Sequence, residues 1–323
     1  MKEKALQVLG ILERTDEAIS AIDIVKKLNI DPSELELHVQ ELVSLGYSIL
    51  EKDSTYLLEA RTELLLPNEL QSKLRTRFVG RNVFHYDSIP STLAVAKRMC
   101  EEGNPDELNG TLIIAEQQTG GMGRLGRMWA SPQGGIWATV ILKPKIPVDR
   151  LFMITMAGSL AIARAIRREY DIGALIKWPN DIFIGSKKVA GILQKISVEG
   201  DEINYVVLGL GIDANIDVNE LPDELKIIAT SLNDETGEAV DRAKLLARVL
   251  KEFELRLLQL EDGEYETIVR EWKSLSITLN RRVHVKTLRK TFKGEAIDID
   301  QHGALVIRKD NGEIERVIAG DLT

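Results

Sequence analysis

Gly120-Gly121-Met122-Gly123-Arg124-Leu125-Gly126-Arg127, followed by Met128-Trp129-Ala130-Ser131-Pro132-Gln133-Gly134-Gly135, decides how this chain is read. The first eight residues hold four glycines and two arginines, shortly after the apolar run Leu112-Ile113-Ile114-Ala115. Glycines let backbone N–H groups approach an anion closely, and arginines supply fixed positive charge. Such a loop suits a phosphate-bearing or carboxylate-bearing ligand. The spacing Gly121-x-Gly123-x-x-Gly126 also matches the dinucleotide fingerprint, but that site needs a helix to open at the third glycine. Arg127 to Gly135, with Pro132 and a glycine pair, cannot form one, and the next element reads as a strand. The acidic residue expected about 20 positions on is absent; Lys143 and Pro144 stand there. No Gly-Lys-Ser/Thr phosphate loop and no His-Arg-Asp or Asp-Phe-Gly kinase word is present. An empty glycine-rich surface loop would carry the same residues, and ordering it would cost entropy that ligand contacts must offset.

The spans around this loop predict an α+β fold. Strands are expected at Asn82–Tyr86, Thr111–Gln117, Ile136–Leu142, Ala174–Trp178, Asp181–Ile184, Val189–Ile196 and Tyr205–Leu210, and helices at Thr92–Glu102, Leu151–Tyr170, Arg242–Leu260 and Tyr265–Leu275. Gly185-Ser186 and Glu199-Gly200-Asp201 are short turns, so much of this sheet should be antiparallel. Upstream, the first 60 or so residues read as three helices and a hairpin. Ser20 opens Ala21–Leu28; Asp31, Pro32 and Glu34 open a helix to about Leu45; Lys52-Asp53-Ser54 is the hairpin tip. That order predicts a winged helix-turn-helix over residues 1–66, with Ala21 to Gln40 as its two-helix unit. Glu59–Leu74 reads as a polar connector. Beyond a central region at 80–272, strands at Val283–Thr287, Phe292–Asp300, Ala304–Lys309 and Glu313–Ile318 predict a small barrel-like module over 276–323, with Asn311-Gly312 as a hairpin signal.

Two further words carry chemistry. In Lys177-Trp178-Pro179-Asn180-Asp181, Pro179 fixes the backbone at a strand end, Asn180 can donate and accept as an adenine edge requires, and Asp181 can hold Mg²⁺ beside phosphates. Asn and Asp after proline are also ordinary turn residues. In Lys188-Val189-Ala190-Gly191-Ile192, an ammonium opens an apolar strand where it could neutralise a carboxylate attacking a phosphate, or simply mark an exposed edge. Gly209 and Gly211 could let a flat ligand lie on the backbone or mark a bulge. Ser91-Thr92 could bond a small polar ligand or cap a helix.

The 323 residues are 44% apolar and 28% charged, with no apolar run of membrane-spanning length. The start Met1-Lys2-Glu3-Lys4 lacks a secretory apolar core. One cysteine, Cys100, and four scattered histidines exclude an intramolecular disulfide and a recognisable metal spacing. The expectation is a cytoplasmic protein without structural metal or membrane partner.

The ordered set Ser91-Thr92, Glu116–Gln118, Gly121–Trp129, Lys177–Asp181, Lys188–Ile192 and Gly209–Ile212 resembles the biotin protein ligases, in particular those with an amino-terminal DNA-binding domain. The resemblance runs over essentially the full chain. It implies a central ligase domain like that of class II aminoacyl-tRNA synthetases and a C-terminal SH3-like β-barrel. It implies two steps: biotin and MgATP form biotinyl-5′-adenylate, and a lysine of a biotin carboxyl carrier protein then takes the biotin. Ser91, Thr92, Leu93, Gln118, Gly121, Met122, Gly123, Arg124, Lys188, Gly191, Gly209 and Gly211 would surround biotin, with Gln118 near its ureido group. Arg124, Arg127, Trp129, Asn180 and Lys188 would hold the adenylate, Trp129 packing on adenine and Asn180 reading it. Lys188, Arg124, Arg127 and Asp181 would act in the chemistry, and Asp181 would face Mg²⁺. A lipoate ligase or octanoyl transferase on a related scaffold, and a regulator that only senses ligand, are the competing readings.

Three positions depart from the family's pattern: Met122 replaces an arginine, Leu93 an asparagine and Asp213 an asparagine. Any guanidinium role at position 122 is lost, so retention of the adenylate should differ from the usual motif. The first 66 residues carry seven lysines and arginines against thirteen acids, net −6 of the chain's −8. From Asn29 through Leu50 there is no Lys or Arg, and the expected reading helix carries Glu34, Glu36 and Glu41. Phosphate neutralisation dominates DNA affinity, so DNA would be repelled unless a homodimer or a partner intervenes; the alternative is a vestigial or protein-interaction domain.

Overall fold

The computed structural model describes residues 3–287 and 290–322; Met1, Lys2 and Thr323, at the outer ends of the expected domains, lie outside them. The chain divides into two units, Met1–Leu64 and Leu65–Thr323. In the first, helices α1 (Glu3–Leu12), α2 (Ala21–Leu28) and α3 (Pro32–Ser44) accompany an antiparallel sheet ordered β1 (Ile19–Ser20), β3 (Thr55–Ala60), β2 (Ser48–Lys52). Ser20 Oγ accepts the Ile22 N–H at 3.2 Å, and Asn29, at φ 50°, stops α2. Glu34 accepts the Asp31 N–H at 3.0 Å behind Pro32. Gly46, at φ 87°, reverses the chain after α3. Val8, Leu12, Ile24, Leu35, Leu42 and Tyr56 are buried, while α3 turns Glu36, Leu37 and Val43 outward.

The expected connector is corrected. Glu59 and Ala60 finish β3, and Pro67–Lys73 forms helix α4. Proline is favoured in a first turn, and the leucines scattered through this polar-looking stretch (Leu65, Leu66, Leu70 and Leu74) are all buried.

The second unit is built on a seven-stranded sheet ordered β4 (Val83–Ile89), β5 (Leu112–Gln118), β6 (Ile136–Leu142), β10 (Glu202–Ile212), β9 (Lys187–Glu199), β8 (Asp181–Ile184), β7 (Ala174–Lys177). Only the β4–β5 pair is parallel. Strand alternation sorts the apolar residues onto two faces. Ile113, Ile141 and Val207 meet Leu93, Ala96 and Cys100 of α5 (Thr92–Glu102). Leu112, Ile114, Val140, Val206 and Leu208 join the cluster containing α6 (Phe152–Tyr170) and, after the short helices α7 (Asp223–Lys226) and α8 (Leu232–Thr236), α9 (Arg242–Glu261) and α10 (Tyr265–Ser274). Cover on both faces explains why β5 and β6 read as continuous apolar runs. A five-stranded antiparallel sheet follows, ordered β14 (Ile314–Val317), β13 (Leu305–Lys309), β12 (Thr291–Ile299), β11 (Arg281–Lys286), β15 (Asp321–Leu322). Its Val283, Val285, Ile299, Leu305 and Leu322 belong to the same core cluster as α6 and α9. Trp178 Nε1 donates to the Gly303 carbonyl at 3.2 Å, which ties the start of the β7–β8 turn to this sheet. Among the described residues no helix is long and apolar enough to cross a membrane.

Candidate active site

The C-terminal ends of β5 and β10, the start of β9, the start of α5 and the glycine loop surround an open cavity of about 230 Å³. Its wall includes Ser91, Thr92, Leu93, Gln118, Met122, Gly123, Arg124, Arg127, Trp129, Asn180, Asp181, Lys188, Gly191, Gly209 and Gly211. Residues spread over 120 positions of sequence thus converge, and of the expected ligand-facing set only Gly121 does not line the cavity. A Cβ on Gly121 would stand 2.4 Å from the Trp129 carbonyl and 2.6 Å from Ser131 Oγ. This glycine therefore serves the loop's own closure, where the Trp129 N–H donates to the Gly121 carbonyl at 2.9 Å. Leu125 (φ 56°) and Gly126 (φ 74°) turn the loop's tip, and the Gly123 N–H donates to the Arg127 carbonyl at 2.7 Å.

At one end of the cavity the polar side chains bond each other. Gln118 Oε1 accepts from the Thr92 N–H (2.8 Å) and the Thr92 hydroxyl (3.1 Å), and Gln118 Nε2 donates to Ser131 Oγ at 2.9 Å. Thr92 and Thr139 share a hydroxyl contact of 2.9 Å. Ser91, expected to face ligand or cap a helix, is the N-cap of α5. Sequence reasoning missed Ser131 and Thr139; the signal for Thr139 was a lone polar residue inside the apolar run of β6.

At the other end stand three cations. Lys188 Nζ pairs with Asp181 Oδ1 at 2.7 Å and lies 4.7 Å from the centre of the Trp129 ring. Arg124 donates to Asn180 Oδ1 (3.0 Å) and to the Gly320 carbonyl (2.9 Å), while Arg127 pairs with Asp321. Burial draws the Arg124 pKa down, against the pull of Asp321 and Asp181. Asn180 Nδ2 donates to the Ile192 carbonyl at 2.6 Å. Asn180 thus uses both ends of its amide inside the protein; to read a base, as the sequence suggests, it must exchange a partner. The glycines also change meaning. A Cβ on Gly211 would lie 2.9 Å from the Trp129 ring, one on Gly191 3.0 Å from it, and one on Gly209 3.2 Å from Leu93. The flat group seated on this backbone is the Trp129 indole itself.

Asp213 ends this wall. Burial pushes its carboxyl well above the ordinary range, with the Lys188 ammonium pulling it partly back. The folded chain therefore keeps this proton where the unfolded chain, titrating near about pH 4, has released it. Stability then falls as pH rises above about 4 towards the native value. Asp213→Asn should remove that slope and raise the melting temperature at pH 8, by about 3 °C per kcal/mol recovered. Thermal unfolding of both proteins from pH 5 to pH 8 tests this; a difference between them that does not change with pH defeats it.

The carboxylates on the wall, Asp181 and Asp321, each already face a cation. Among the described residues no group of three potential ligands could cage a metal. An ion that arrives on phosphates needs only one or two protein carboxylates, and Asp181 fits that lesser demand.

Residues 87–213 match the model described as the biotin/lipoate A/B protein ligase family, and residues 278–322 match that of the biotin protein ligase C terminal domain. The bifunctional ligase/repressor BirA of Bacillus subtilis is 33% identical over 309 residues, 95% of this chain and 94% of that protein. The biotin–[acetyl-CoA-carboxylase] ligase of Mycobacterium tuberculosis is 31% identical over 222 residues, 67% of this chain and 79% of that one. The solved biotin protein ligase from Aquifex aeolicus in complex with biotin and ATP superposes with a TM-score of 0.65 at 27% identity, covering 75% of this chain and 98% of that one. With the motifs singled out in its sequence gathered on one wall and 33% identity over nearly the whole chain to a ligase/repressor of this kind, this chain belongs to the biotin/lipoate A/B protein ligase family.

Proposed function

We propose that this chain is an ATP-dependent biotin protein ligase acting on a biotin carboxyl carrier protein. The observation that carries this reading is the division of one cavity. Thr92 and Gln118 offer hydrogen bonds beside apolar Leu93, whereas Arg124, Arg127 and Lys188 gather charge on the same wall. That polarity suits a ligand with a neutral, hydrogen-bonding head and a carboxylate tail that must meet a triphosphate.

In the first step a biotin carboxylate oxygen attacks the α-phosphorus of ATP, the bond to the bridging oxygen breaks and pyrophosphate leaves. Two anions must be brought together, so fixed positive charge and excluded water supply most of the help. Lys188 is placed to neutralise the attacking carboxylate and the α-phosphate, and Arg124 and Arg127 the remaining phosphate oxygens. Mg²⁺, carried on ATP, would neutralise phosphate charge, with Asp181 the carboxylate placed to receive it. In the second step a carrier lysine amine attacks the acyl carbon, AMP leaves with the acyl–phosphate bonding electrons, and the amine loses its proton. Each of these roles asks a side chain to exchange the internal partner it holds.

The terminal β module and the Lys177–Asp181 word favour biotin over lipoate. The proposed organisation is a winged helix-turn-helix at 1–66, a ligase domain at 80–272 and an SH3-like domain at 276–323. DNA reading by Ala21 to Gln40, in keeping with a repressor role, would draw its cations from Lys26, Lys27 and Lys52, since α3 has none. Purified protein should catalyse biotin-dependent exchange of pyrophosphate into ATP and label a carrier domain on an avidin blot. Absence of exchange with biotin, alongside exchange with lipoate, would overturn the assignment.

A further inference from the structure

The glycine loop is held from outside the sheet. Arg127 pairs with Asp321, and Arg124 donates to the Gly320 carbonyl. Asp321 and its neighbour come from the far end of the chain, and their position is anchored. Leu322 is buried in the main core, and β15 pairs with β11 through Val285↔Leu322 and Lys286↔Asp321. The arginines, in contrast, sit on a turn whose Leu125 and Met128 side chains are exposed and whose tip is Gly126. Asp321 also lines the cavity itself. A carboxylate on a paired strand thus faces a guanidinium on an exposed turn, at the place where phosphate charge is expected.

We infer that Asp321 is a positioning residue of this site: a resident carboxylate that holds Arg127 and yields it to the incoming nucleotide's phosphate. The inference rests on the ligase reading for the identity of that anion. Its physical content is a competition. Arg127 cannot serve Asp321 and a phosphate oxygen in full at once, and an unpaired Asp321 beside the triphosphate repels it. Asp321 therefore weakens nucleotide binding while keeping the loop ordered and the Arg127 side chain engaged. The same logic is seen at Lys188, whose ammonium is held by Asp181. The two carboxylates come from different sheets, Asp181 on β8 and Asp321 on β15, so the C-terminal module contributes directly to loading of the site.

Asp321→Asn tests this in the full chain with two readouts. Trypsin needs a free arginine side chain, so in the absence of ligand the fragments ending at Arg124 and Arg127 should form about threefold to fivefold faster than in the parent, the range of a partly exposed ion pair. In the exchange assay the KM for ATP should fall by a similar factor of about three to five, with kcat within about twofold. Asp310→Asn, which breaks an exposed pair with Arg282 elsewhere on the same sheet, should change neither. Unchanged tryptic rates at both arginines would overturn the proposal. So would a raised KM for ATP, which would mean that Asp321 supports the loop when nucleotide is bound. If the parent shows no exchange at all, the ligase reading fails, while the tryptic comparison still decides whether Asp321 holds the loop.

Discussion

Lys188→Ala should slow biotin-dependent pyrophosphate exchange by about 10²- to 10³-fold, the range for losing one charged group aimed at a transition state. Lys188 sits near the start of β9, on a strand whose next residues, Val189 and Ala190, are buried, so its backbone is fixed. Its ammonium lies over the Trp129 ring and 2.7 Å from Asp181. Deletion has two costs in the first step. The ammonium that offsets the carboxylate and α-phosphate is gone, and Asp181 is left as an unopposed negative charge facing an anionic substrate. The second cost can be separated from the first. Lys188→Ala combined with Asp181→Asn should recover about fivefold to tenfold relative to Lys188→Ala alone, because the two side chains act as one unit. Lys188→Arg should remain well below the parent, since a planar fork does not replace a compact point charge. Biotin binding measured without ATP should change far less than the exchange rate. A loss of less than tenfold on Lys188→Ala would remove this residue from the chemistry.

How much of this was legible in the sequence depends on distance. Helix α5 and strands β6 and β8 stand at their expected bounds, because local periodicity and Ser91 as a cap determine them. The ligand-facing residues were found as short words, and the fold brings those words together. What could not be read were pairings made across the chain. Arg124 meets Gly320, 196 residues away, and Arg127 meets Asp321, 194 residues away. No periodicity reports such contacts. The same holds for Gly191 and Gly211, whose missing side chains look like space for a ligand until Trp129 is seen lying on them. It holds for Asn180 and Gln118, whose amides bond within the protein until a ligand competes for them. Sequence named the participants; their internal partners are set by the tertiary fold.

Glu116→Ala should cost about 3–5 kcal/mol of stability, the range for removing one partner of a buried ion pair. At about 2–4 °C per kcal/mol this lowers the melting temperature by roughly 10 °C. Glu116 stands two residues before Gln118 on β5, and its side chain is 3% exposed. One oxygen accepts from the Leu65 N–H (2.6 Å) and contacts His85 Nε2 (2.9 Å); the other accepts from Arg242 Nη2 (2.8 Å). Arg242 in turn donates to the Gly135 carbonyl at 2.7 Å, just ahead of β6. One carboxylate therefore ties the first residue of the second unit, β4, the start of α9 and the segment leading out of the glycine loop. Burial pushes this carboxyl's pKa upward, but the His85 contact, the Arg242 charge and the Leu65 N–H outweigh it and hold it below the ordinary value. The sign follows from that depression. Above the unfolded carboxyl's value of about 4.3 the stabilisation is fully present, and it is lost as pH falls through the lower native value. Glu116→Gln keeps the shape but presents an NH₂ group to a cluster of donors, so it too should be less stable at pH 7. Its deficit should shrink as the pH drops below about 4, where the parent loses the same charge. Thermal or urea unfolding of the parent and both variants at pH 7 and at pH 3 measures this. A deficit under about 1 kcal/mol for Glu116→Ala, or one for Glu116→Gln that is the same at both pH values, would show that the cluster does not hold these elements together.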